Sequence, residues 1–133
     1  MQSEHLTNLH PGWVVGGWLV AVAVAAALYL GGVGAGLVPP DEGAAVWVSV
    51  SIAGGFFVGG VLVGMRWSDA PILHGAAITF LSVLVWFAVL LLGDPASPDS
   101  VPLVLGLILL QLAAACFGAW MGRRWTLGVG TPE

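Results

Sequence analysis

Charge is what this chain has least of. Its 133 residues include three cations, all arginine, and seven acids, so charged residues make up only 8% of the whole. That balance excludes a nucleic-acid partner, because neutralising a phosphate backbone takes many Lys or Arg side chains. Arg66, Arg123 and Arg124 also fall short of the basic cluster that recognises a particular lipid headgroup. The single cysteine, Cys116, excludes an internal disulfide. Set among Ala and Phe, it reads as a small inert hydrophobe rather than a nucleophile. His-Glu-x-x-His, Gly-x-Ser-x-Gly, Cys-x-x-Cys and a phosphate-cradling loop are all missing. The expectation is a chain that is not an enzyme and carries no cofactor.

What is present is apolar: 59% of the residues are hydrophobic and the mean hydropathy is +1.00. Four uncharged stretches stand out, Trp13 to Leu37, Ala44 to Met65, Pro71 to Leu92 and Val101 to Met121. Each exceeds the roughly 20 residues that cross a hydrocarbon core about 30 Å thick as a helix. The period-2 polar face of a membrane β-barrel is missing. The sequence therefore predicts an all-α integral membrane protein with four transmembrane helices and the lipid bilayer as its first partner.

Shifting the chain by 58 residues, with no gap, lays Gly17, Pro40, Asp41, Gly60, Gly64, Arg66 and Trp67 on Gly75, Pro98, Asp99, Gly118, Gly122, Arg124 and Trp125. These residues punctuate a hairpin, with a turn at Pro-Asp and an exit at Gly-x-x-x-Gly-x-Arg-Trp, while the filler between them differs. The organisation read from this is a tail over 1–12, one two-helix unit over 13–67, a second over 68–125 and a tail over 126–133. The two tandem hairpins have parallel topology, related by a pseudo-twofold axis along the membrane normal.

Orientation follows from the arginines. Arg66 lies between spans two and three, and Arg123 and Arg124 follow span four, so the expectation is a cytoplasmic (inner) membrane protein with both termini cytoplasmic. Asp41, Glu42, Asp94 and Asp99 fall in the opposite loops. Trp13, Trp67 and Trp125 sit where amphipathic indoles anchor at the interface. The first span has no basic residue before it and outruns a signal-peptide core, which reads as a mature helix. Ser68-Asp69-Ala70-Pro71 and Asp99-Ser100-Val101-Pro102 combine a capping side chain with an early proline, a helix-start pattern.

Helices in lipid associate by close packing, so glycine spacing carries information. Span two holds Gly55-x-x-x-Gly59 and Gly60-x-x-x-Gly64, span four Gly118-x-x-x-Gly122, and span one Gly12-x-x-x-Gly16 and Gly32-x-x-x-Gly36. Gly60/Gly64 and Gly118/Gly122 occupy equivalent places in the two units and mark a face that approaches another backbone, in this chain or in a second copy.

Polar side chains at membrane depth are Ser49, Ser51, Thr79, Ser82, Gln111, Cys116 and, near the end of span three, His74. With no Asp, Glu, Lys or Arg among them, a proton-driven transporter is disfavoured. Gln111 needs a partner, and Ser49, Ser51 and Ser82 on facing helices are the candidates. His74 reads as a helix-end histidine bonded to nearby backbone or facing headgroups; a pairing with His10, which like His5 lies in the N-terminal tail on the same side, is the metal- or haem-binding alternative.

The run Gly54-Gly55-Phe56-Phe57-Val58-Gly59-Gly60-Val61-Leu62-Val63-Gly64-Met65-Arg66, followed by a short loop and Leu73-His74-Gly75, resembles the Gly-Gly, Gly-x-Arg, His-Gly signature of a group of small four-span prokaryotic membrane proteins of no assigned activity. The resemblance implies a four-helix inner-membrane fold. The basic residues usual in that loop are replaced here by Trp67-Ser68-Asp69. The function expected from packing surfaces alone is a non-catalytic accessory subunit of a membrane complex, or a self-associating scaffold. The alternative is an oligomeric channel or transporter for a small solute or ion, lined by Gln111, the serines and His74; a cofactor-bearing subunit comes third.

Overall fold

A computed structural model describes residues 9–38, 43–66, 69–92 and 101–128. Four α-helices account for nearly all of them: α1 (Pro11–Gly34), α2 (Gly43–Arg66), α3 (Pro71–Leu92) and α4 (Val101–Gly128). All four are long and apolar enough to cross a membrane, and their exposed surface is dominated by Leu, Val and Phe. The chain is a helical protein suited to multiple membrane crossings. The readings that rest on His5, Pro40, Asp41, Glu42, Trp67, Ser68, Asp94, Pro98, Asp99 and Ser100 lie outside the described residues.

Helix ends follow local chemistry. Pro11 occupies the first turn of α1, where a missing N–H costs nothing. The His10 carbonyl accepts from the amides of Trp13 and Val14 at 3.0 and 3.2 Å. At the other end α1 stops at Gly34, three residues short of the hydropathy boundary at Leu37. Gly36 turns left-handed at φ 69°, its amide bonds the Val33 carbonyl and the Leu37 amide bonds the Gly32 carbonyl. This is a Schellman termination, which needs a residue free of a Cβ penalty at its pivot. Helix α4 instead runs past Met121 to Gly128, carrying Arg123, Arg124 and Trp125 out on a continuous helix.

The hub is α2. It packs antiparallel against α1 on one face and parallel against α4 on another, while α3 rests mainly on α4 and touches α1 and α2. The enclosed core is small and made of small side chains. Ala21, Val63, Ile78, Ala115 and Ala119 are fully buried, with Val14 and Phe56 nearly so. Arg66 stands over the ring of Trp13 at 5.7 Å, and the Gly122 backbone abuts Val61 and Met65. The start of α1 and the ends of α2 and α4 therefore share one end of the bundle, and all three arginines are there.

Candidate functional site: a glycine seam and a lateral cavity

The two glycine pairs of α2 face different neighbours. Successive helical positions are about 100° apart, so Gly55/Gly59 and Gly60/Gly64 form two adjacent ridges. Gly55 faces the Ala21 carbonyl and Ala25, and Gly59 faces the Gly17 carbonyl and Ala21, all on α1. Gly60 lies against the carbonyl of Ala115 and Gly64 against that of Ala119, both on α4. From the other side, Gly118 lies against the carbonyl of Phe57 and Gly122 against that of Val61. Moving both members of the Gly60–Ala115 contact by 58 residues, in opposite senses, gives the Gly118–Phe57 contact. The same shift turns Gly64–Ala119 into Gly122–Val61. A Cβ at any of these six glycines would come within 3.0 Å of a neighbouring atom, a separation that real Cβ atoms essentially never show. Backbones that close exchange dispersion and weak Cα–H···O contacts in place of side-chain interlock.

Three further glycines matter: Gly17 and Gly75, which belong to none of the spaced pairs, and Gly32, the spaced partner of Gly36. Gly17 gives room to Val63 and Ile78, and Gly75 to Ala115 and Cys116; both belong to the 58-residue correspondence, which was the available signal. Gly32 accommodates the indole of Trp47, and nothing in its spacing announces that role. The pairs proposed for span one resolve differently. Gly12 and Gly16 have open space where a side chain would be, and Gly36 serves the helix stop rather than a contact.

The polar residues separate into two places. His74, fully buried, sits at the arginine end. Its Nδ1–H donates to the Ala70 carbonyl at 2.8 Å, and its Nε2 accepts from the His10 backbone amide at 3.2 Å. Those partners define the neutral Nδ1–H tautomer. The His10 and His74 rings stack at 6.3 Å, but both His74 nitrogens are engaged, which leaves no lone pair for a metal. Among the described residues no group of three His, Cys, Asp or Glu side chains could hold a metal ion. His74 is thus a latch between α1 and α3 at one end of the bundle, apart from Gln111.

Toward the other end α1 and α3 are separated by a cavity of about 370 Å³. Val22, Ala25, Ala26 and Tyr29 of α1 form one wall and Ser82 and Trp86 of α3 the other, with Ser51, Phe56 and Gln111 among its floor residues. Val22 and Trp86 are each 41% exposed, so the mouth opens sideways on the apolar surface. Ser51, Ser82 and Gln111 all line this cavity, yet the expected Gln111–serine bond does not form at the carbonyl. Gln111 Oε1 and Ser51 Oγ are both buried without a hydrogen-bond partner. Ser49 takes no part; its hydroxyl donates back to the Ala45 carbonyl at 2.9 Å, and Thr79 does the same to Gly75 at 3.3 Å.

At the arginine end the Arg124 guanidinium lies 4.2 Å from the centre of the Trp120 ring. Trp125 is 56% exposed, free to contact an interface. Cation–π pairs of this kind contribute about 0.5–1 kcal/mol where exposed. No protein family, curated protein or solved structure matches the chain. The functional reading rests on its own geometry.

Proposed function

We propose that this chain is a non-catalytic, multi-pass protein of the cytoplasmic membrane that serves as an accessory subunit or self-associating scaffold. The observation that carries the reading is the seam between α2 and α4. Four glycines and four carbonyls make one continuous backbone contact, leaving no space for a solute along that axis and giving a stiff frame on which other helices can dock. The reciprocal contacts at a 58-residue spacing support two tandem hairpins related by a pseudo-twofold axis. Besides Gly106 and Gly128 on α4, the open glycines of the described helices are on α1, where Gly12, Gly16, Gly31 and Gly34 meet nothing within 4 Å. A second membrane helix could approach there as closely as α4 approaches α2.

Native mass spectrometry of protein purified in mild detergent tests this. The expected result is a stoichiometric partner or a homo-oligomer that dissociates when Gly12 and Gly16 are both replaced by Leu. A monomer that carries ions or small solutes into liposomes above the empty-vesicle rate, with flux lost in Gln111→Leu, would favour the conduit reading. The specific observation behind that second reading is the meeting of Ser51, Ser82 and Gln111 in one cavity; His74 lies outside it.

The arginine end faces the cytoplasm in this reading, because Lys and Arg bias short loops inward. In a Cys116→Ala background, Leu37→Cys and Val101→Cys should react with an impermeant maleimide added to intact cells, and Thr126→Cys should react only after permeabilisation. The reverse pattern would invert the topology.

A further inference from the structure

The lateral cavity has the makings of a binding site that the scaffold reading does not require. Its volume of about 370 Å³ lies within the range of roughly 300–1,000 Å³ typical of small-molecule pockets. Its walls are hydrocarbon and aromatic, and Ser51 and Gln111 are each only 2% exposed. Ser51 Oγ and Gln111 Oε1 are sealed and unpartnered, and that desolvation penalty is one a ligand group could relieve after a rotation of the two side chains toward the cavity they line. Lipid acyl chains can fill such a space but cannot satisfy either atom.

We propose that the cavity binds a neutral, hydroxyl-headed amphiphile drawn sideways from the bilayer, its O–H donated to Gln111 Oε1 and its apolar body lying between α1 and α3 past Trp86. The chemistry of the two orphaned atoms selects the head. An amide oxygen only accepts, so the ligand must bring a donor, whereas a ketone, ester or ether head would leave Gln111 Oε1 bare. Ser51 can donate or accept, so it complements a hydroxyl in either role. A charged head is disfavoured by the lining, which among the described residues holds no carboxylate to pair an ammonium and no cation to pair a carboxylate or phosphate. Depth agrees with this choice. At about 1.5 Å per residue, Gln111 lies roughly 15 Å into α4, near the middle of a hydrocarbon core about 30 Å thick, where a neutral alcohol or phenol can go and an ion cannot.

The test uses the full chain in phosphatidylcholine nanodiscs and a photoreactive probe, a 16-carbon primary alcohol with a mid-chain diazirine. Cross-links mapped by mass spectrometry are expected on cavity residues such as Ile52 and Trp86. 1-Hexadecanol should displace the probe at least about fivefold better than its methyl ether, the scale of one net hydrogen bond. The double variant Ser51→Ala/Gln111→Leu should lose that preference while keeping its helical circular dichroism. Should the variant not fold, the alcohol-against-ether comparison on the unaltered chain still decides. Equal displacement by the ether, or cross-links spread evenly over outward positions such as Leu84 and Leu105, would overturn the proposal. Neither result bears on the oligomer measured by native mass spectrometry, so the two readings fail separately.

Discussion

Gly64→Ala is expected to destabilise the protein while Gly106→Ala stabilises it, a reversal of sign for the same chemical change. Within a helix, alanine is favoured over glycine by roughly 0.5–1 kcal/mol. At Gly106 nothing lies within 4 Å of the added methyl, so that gain should appear undiminished in thermal unfolding in detergent. At Gly64 the methyl collides with the Ala119 carbonyl, and at Gly122 with that of Val61. Backbone cannot rotate out of the way as a side chain can. The helices must separate, at a cost of about 1–3 kcal/mol or more. Leucine at Gly60, Gly64, Gly118 or Gly122 should abolish folded yield, whereas Gly106→Leu should stay within about 0.5 kcal/mol of the parent. Equal losses at Gly64 and Gly106 would remove the seam as the source of stability.

The second large effect is expected at His74. His74→Ala removes a buried ring whose two nitrogens serve the Ala70 carbonyl and the His10 amide. Leaving buried partners unpaired costs about 1–3 kcal/mol. The loss should be local before it is global. Amides in the first turns of α1, at Trp13 and Val14, should exchange hydrogen much faster, while those of α4 beside the seam change only with overall stability. His74→Gln, which can still accept from the His10 amide, should recover part of the protection. If all amides speed up equally in His74→Ala, the latch does not hold α1 independently of the rest.

The number and extent of the helices were legible because hydrocarbon thickness sets a length that apolar runs either meet or do not. Their ends were less so. Hydropathy counts Ala35, Gly36 and Leu37 as apolar and cannot register that Gly36 turns left-handed, and it stops the fourth span at Met121, ahead of Arg123, although a helix can continue into water. The seam glycines were visible from their spacing, but the same spacing serves a contact within a chain or between chains. Only the positions of Phe57, Val61, Ala115 and Ala119 assign it to α2 and α4. His74 was readable as a backbone-bonded residue without its partner being readable, since a backbone amide such as that of His10 has no letter of its own. Gln111 was expected to find a serine. Ser51 and Ser82 share its cavity, yet the separation of α1 from α3 beyond Gly17 and Ile78 is a property of packed volume, which periodicity does not encode.

The reciprocity of the seam has a consequence for how such a chain could be assembled. In the proposed tandem-hairpin arrangement, Gly60 on the Ala115 carbonyl and Gly118 on the Phe57 carbonyl correspond to the paired contacts of an isologous interface, the kind a twofold axis creates between identical subunits. The groups involved are glycine Cα atoms and peptide carbonyls, so a hairpin of α1 and α2 alone offers a second copy of itself both halves of the same lock. Joining the hairpins in one polypeptide adds no contact to that seam. It raises the effective concentration of one hairpin around the other to the millimolar scale expected of a short tether, converting an encounter in the plane of the membrane into a step of folding.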